Sequence, residues 1–150
     1  MNCALAGGVE LIRILIVDDF HAWRREVVTA LAKNPAFQVV GEASDGLEAI
    51  QKNAALHPDV VLLDIGMPRL SGIEAARQIL QASSETKIVF WGEHADRELV
   101  DAAFQLGAKA YIAKSQAASD LMPALETVLE GMLFVSKVLG APPAPSTPIA

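Results

Sequence analysis

The chain has 150 residues, 52% of them apolar, a net charge of −6 and a single cysteine; that length suits one folded domain with an ample core and leaves no room for a second. Acidic and basic residues are interleaved, so no basic stripe stands ready for nucleic-acid phosphates, and a lone Cys3 supports neither a disulfide framework nor a thiolate metal site, which fits a reducing, cytoplasmic compartment. No apolar run approaches the roughly 20 residues of a membrane helix, and no targeting signal is read at the N-terminus.

Residues 1–10 are expected to be a flexible N-terminus. Leu11 to Val17 is short, apolar and rich in branched residues, the pattern of a strand buried on both faces, and it stops at Asp18-Asp19. From Phe20 to Lys33 the residues Trp23, Val27, Val28, Leu31 and Ala32 recur at helical spacing, closed by Asn34-Pro35. Phe37 to Ala43 reads as a second strand, and Asp45 caps a helix through Leu56 with Glu48 three residues on. The third strand, Val60 to Leu63, ends in Asp64 and is followed by the loop Ile65 to Leu70, with a helix started by Ser71 or Gly72 and ending near Ala82.

Lys87 to Trp91 is the fourth strand and Asp96 to Leu106 the fourth helix, stopped by Gly107. Lys109 to Ala113 is the fifth strand and Ala117 to Leu129 the fifth helix. Five strands alternating with five helices through short links predict an α/β fold, a doubly wound five-stranded parallel sheet with helices on both faces and any ligand at the carboxyl ends of the strands. The domain is expected over 11–136, and the Pro/Ala-rich stretch 137–150 reads as a semi-rigid tail or linker.

Asp18, Asp19 and Asp64 stand at the carboxyl ends of two strands and would meet at one sheet edge. Crowded carboxylates repel unless a cation sits among them, and an all-oxygen set suits a hard ion such as Mg2+. Any one of these acids, Asp19 in particular, could instead only cap the next helix; it is the coincidence of three that points to a metal cup. Lys114, just past the fifth strand, would reach the same edge to pair with a carboxylate or a bound phosphoryl oxygen, although taken singly it reads as an ordinary solvated lysine.

Three fragments in this order and spacing resemble one family: Ile16-Val17-Asp18-Asp19, then Leu63-Asp64-Ile65-Gly66-Met67-Pro68 with Ser71-Gly72, then Gly107 to Lys114. They resemble the CheY-like receiver domains of two-component response regulators, over about Leu11 to Gly131. The resemblance implies a flavodoxin/CheY-like sheet in the order 2-1-3-4-5, Asp64 as phosphoacceptor, Mg2+ held by Asp18, Asp19, Asp64 and the backbone carbonyl of Gly66, and Lys114 on the phosphoryl group. It also implies Tyr111 as an aromatic switch, which a purely core role would equally explain. The implied partners are a histidine kinase or phosphotransfer protein on the donor side and an output protein or a second copy on the other. Glu130 to Ser136 is similar to the passage that precedes a helix-turn-helix output domain, and none follows within these residues.

The pattern is broken in places. Gly92 stands where the family carries a threonine or serine, so only a backbone N–H is left to meet a phosphoryl oxygen, and relay to Tyr111 is put in question. Glu93 would oppose an arriving anion unless it points away, and His94 reads as a solvent-facing loop residue, as His21 and His57 read as helix-surface positions. Trp91 must either fill the space left by Gly92 or emerge onto an interaction face, while Trp23 reads as core or partner contact. Ser115 replaces a common proline, which argues against a cis bond there. Two functions of different class follow: a phosphorylation-controlled receiver, and a receiver-like docking module that no longer switches. An aspartate-dependent phosphohydrolase would carry a second acid where Gly66 stands.

Overall fold

The computed structural model describes residues 5–6, 9–67, 69–93 and 96–143; Cys3, Pro68, His94 and the end of the Pro/Ala stretch lie outside them. Within the N-terminal stretch expected to be flexible, β1 (Leu5–Ala6) and β2 (Val9–Glu10) pair as a short antiparallel ladder. Then strands and helices alternate: β3 (Ile12–Val17), α1 (His21–Leu31), β4 (Phe37–Ala43), α2 (Gly46–Leu56), β5 (Val60–Asp64), α3 (Gly72–Ala82), β6 (Lys87–Gly92), α4 (Arg97–Leu106), β7 (Ala110–Ala113), α5 (Ala117–Leu129) and β8 (Phe134–Val135). The main sheet is parallel throughout, in the order β4-β3-β5-β6-β7-β8. This is the expected 2-1-3-4-5 order with a sixth strand added at the edge. No helix among the described residues is long and apolar enough to cross a membrane.

The unbroken apolar runs behave as buried strands should, filling both faces of the sheet. Leu15, Val17, Val61, Leu63, Ile88, Phe90 and Tyr111 face α2, α3 and α4, against Ala49, Ala75, Ile79, Val100 and Ala103. Ile14, Ile16, Leu62, Val89, Trp91 and Ile112 face α1 and α5, against Val27, Leu31, Leu121 and Leu125. Each large side chain so buried stabilises the fold by roughly 1.5–3 kcal/mol before entropy is counted.

Helix ends follow local chemistry. Asp45 accepts from Glu48 N at 2.9 Å and Glu48 reaches back to Ser44 N at 2.7 Å; Ser71 and Asp96 cap α3 and α4 through Glu74 N and Leu99 N. Gly107, at φ 118°, ends α4 in the left-handed region. His57, placed on a helix surface by the sequence pattern, is instead the left-handed C-cap of α2, at φ 49°, whereas His21 is exposed at the start of α1. Gly72 is needed for close approach: a Cβ there would lie 2.2 Å from the Asp64 carbonyl oxygen, so only glycine lets α3 start directly beneath the end of β5.

Candidate functional site

The parallel order brings the ends of β3, β5 and β7 to one edge, and with them Asp18, Asp19, Asp64 and Lys114. One carboxylate oxygen from each of the three aspartates lies within 4.8 Å of the other two. Asp18 is fully buried and Asp64 nearly so, while Asp19 is exposed. Asp18 is divided in its duties: Oδ1 accepts from Phe20 N at 2.8 Å, and Oδ2 meets Lys114 Nζ at 2.6 Å. The helix-capping role weighed for Asp19 is filled by neither acid: the Asp18 bond to Phe20 N closes a turn just before the helix, and α1 has no side-chain cap.

Lys114 is no solvated lysine. Its side chain is 12% exposed, and Nζ lies 3.8 Å from Asp64 Oδ2 as well as on Asp18. Asp64 itself accepts from Gly66 N at 3.1 Å. Burial pushes the Asp64 carboxyl up to about 6; the Gly66 N–H and the Lys114 ammonium work against that rise, and the charges of Asp18 and Asp19 add to it. Three oxygen donors with one of them left partly protonated by burial form the set that a hard divalent cation would relieve, so the residues present fit Mg2+. The site opens into a pocket of about 1050 Å³ walled by Phe20, Trp23, Ile73, Leu99 and Glu93 besides the polar residues. Glu93 is exposed on its rim; the reading of His94 falls outside the described residues.

Two residues that the sequence pattern did not single out for this site belong to it. Arg24 donates to the Asp18 carbonyl at 2.6 Å and to Glu42 Oε1 at 3.0 Å, pinning the end of β3 to β4. Trp23 lies under Lys114, with Nζ 5.1 Å from the ring centroid, and meets Trp91 edge-on at 5.5 Å and 86°. The available signal was position: both lie in the first turn of α1, just past the acidic pair. Trp91 takes neither course expected of it. It is fully buried on the α1/α5 face, against Trp23, rather than in the space beside Gly92 or on the surface. No cis peptide bond occurs among the described residues, the Lys114–Ser115 bond included.

A family model of the response regulator receiver domain matches residues 14–126. The chain belongs to the response-regulator receiver family. It is 34% identical over 124 residues to the transcriptional regulatory protein DegU of Brevibacillus brevis, a match covering 83% of this chain and 52% of DegU. The chain thus spans about half the length of that curated relative. A solved two-component response regulator of the LuxR family from Aurantimonas superposes with a TM-score of 0.82 at 32% identity, covering 86% of this chain and 92% of that one. The CheX–CheY–BeF3–Mg2+ complex from Borrelia burgdorferi contains a chain matching at TM-score 0.73 and 26% identity over 81% of this chain and 91% of its own.

As a receiver, the chain is a signalling module rather than a catalytic enzyme, and its acidic pocket suits phosphoacceptance in two-component signalling. Within this receiver Tyr111 is fully buried, 6.1 Å from Phe90, and its hydroxyl has no hydrogen-bond partner among the described residues. Burial, with Asp64 and Asp96 nearby, holds that hydroxyl well above the usual phenol range, so it stays protonated. Gly92 is likewise buried and brings no side chain to this end of the sheet.

Proposed function

We propose that this receiver accepts a phosphoryl group on Asp64 from a histidine kinase or phosphotransfer protein in the cytoplasm, and that the adduct changes the surface offered to an output protein or a second copy. The observation that carries the reading is the Asp18, Asp19 and Asp64 cluster with Lys114 between two of its members. Near neutral pH the Asp64 carboxyl is mostly ionised. One of its oxygens attacks phosphorus and forms an O–P bond as the donor's P–N bond breaks, leaving the donor imidazole. Asp18, Asp19, Asp64 and the Gly66 carbonyl would hold Mg2+, whose chemistry is to neutralise charge on the transferred phosphoryl oxygens. Lys114 contacts one of those oxygens, moving from Asp18 toward Asp64. The absence of an acid at Gly66 speaks against turnover as a phosphohydrolase.

The test is intact-mass spectrometry after incubation with Mg2+ and acetyl phosphate, beside Asp64→Asn and a chelated control. One added phosphoryl group in the wild type, absent from both controls, is expected. No adduct on folded protein that binds Mg2+ would overturn phosphoacceptance. It would favour the second reading, a docking module that works without switching, for which Tyr111 already fully buried, with Gly92 bringing no hydroxyl to the end of β6, is the supporting observation.

A further inference from the structure

Lys114 has to serve two arrangements if Asp64 is modified. In the structure its ammonium lies on Asp18 at 2.6 Å and is 3.8 Å from Asp64; contact with a phosphoryl oxygen on Asp64 requires it to move by an ångström or so without swinging out through the pocket mouth. A long, unbranched lysine side chain has considerable rotamer freedom to lose when held at such a point. Carboxylates alone hold it badly, because the Asp18 partner that fixes it also competes with its later task.

The third group around the ammonium is uncharged. Nζ lies over the Trp23 ring, 5.1 Å from its centroid, so the ring meets the lysine through its π system; among the described residues the buried indole N–H has no hydrogen-bond partner. Trp23 in turn is set by Trp91, edge-on at 5.5 Å. Trp91 is fully buried and lies opposite Asp64 in the β5–β6 register. Asp64, Trp91, Trp23 and Lys114 therefore form a closed ring of neighbours at the end of the sheet. A π face attracts the ammonium with little directional demand, so it tolerates the shift from one carboxylate to the other.

We propose that Trp23 is a positioning residue for Lys114: its indole face, braced by Trp91, keeps the ammonium at the phosphoacceptor site in both arrangements. The proposal rests on the reading of Lys114 as the phosphoryl contact, and its test separates the two. In the full chain, the ε-methylene protons of Lys114, assigned by their loss in Lys114→Arg, are expected upfield of ordinary lysine signals because they lie over the indole. That shift should vanish in Trp23→Leu and persist in Trp23→Phe, which keeps an aromatic face. Labelling of Asp64 by acetyl phosphate at saturating Mg2+ should slow by about three- to tenfold in Trp23→Leu and recover most of its rate in Trp23→Phe, with the Mg2+ concentration for half-maximal rate unchanged.

An unshifted Lys114 signal in the wild type would overturn the proposal, as would a Trp23→Leu protein labelled at the wild-type rate. A slower rate accompanied by a raised Mg2+ requirement would overturn it too, by placing the lesion in the carboxylates. Wild-type protein that takes no phosphoryl group fails the functional reading alone; the ring-shifted signal and its response to the two Trp23 variants still decide whether the indole places the lysine.

Discussion

The two faces of strand β6 are filled by different means. Toward α1 and α5, Trp91 is buried edge-on against Trp23, which carries Lys114 on its ring. Toward α3 and α4, Phe90 packs beside Tyr111, whose hydroxyl has no partner among the described residues, and the strand ends in Gly92. On the first face there is a continuous chain of contacts from the core to the acidic pocket. On the second the chain is interrupted where the family's hydroxyl would stand. The difference is one of side-chain continuity: the three carboxylates stay together at the end of the sheet, and Asp64 lies opposite Trp91 on the filled face, while the other face ends in a glycine.

The largest expected effect lies on the face that is filled. Trp91→Ala should destabilise the fold by about 3–5 kcal/mol, the range for emptying a large aromatic site, measured by urea unfolding. Loss of less than about 2 kcal/mol would mean that Trp23 collapses into the gap, and the bracing described above would then be dispensable.

At the shared end of the two faces the expected effect is smaller and depends on pH. Asp64 has its folded pKa raised to about 6, above its ordinary value of 3.8. The folded state therefore binds this proton more tightly than the unfolded chain does. Its contribution is fully present below about pH 4 and is lost as pH rises through about 6. In chelator, Asp64→Asn should match the wild type near pH 4 and exceed it by about 2–3 kcal/mol at pH 7. Added Mg2+ should close that gap by binding only the folded wild type. A difference that is flat with pH would remove the burial-raised Asp64 carboxyl from the account of the site.

How far all this was legible follows the range of each interaction. Strands β3 and β5 announce themselves because runs such as Ile14 to Val17 are apolar on every residue, and the acids that end them mark the functional edge. Asp45 was legible as a cap and Ser71 as a helix start because capping spans three residues; Asp96, read as the first residue of α4, is instead its cap. Strand β8 was not, being only two residues long; it is fixed by the free edge of β7 and by Ser136, whose Oγ accepts from Ala113 N at 3.0 Å and donates to Asp120 Oδ2 at 2.7 Å. Nor was Arg97 in its full role: beyond its Asp101 partner on the same helix it donates to the carbonyls of Leu139 and Ala141, tying down the start of the stretch read as a tail. The stacking of Lys114 over Trp23 joins opposite ends of the chain, and no local pattern records it.

The smallest expected effect belongs to the interrupted face and says most about it. Tyr111 is buried completely, yet among the described residues its hydroxyl finds no acceptor, and Gly92 offers no side chain to supply one. A buried hydroxyl without a partner costs stability, so Tyr111→Phe should be neutral or stabilising by up to about 1 kcal/mol in chemical denaturation, where removal of a satisfied hydroxyl would cost about that much. The same variant should label with acetyl phosphate at the wild-type rate, because no hydrogen bond links the ring to Asp64. A clear loss of stability, or a changed labelling rate, would show that the hydroxyl is held after all. The face would then be coupled despite Gly92, and the docking reading would lose the observation that favours it.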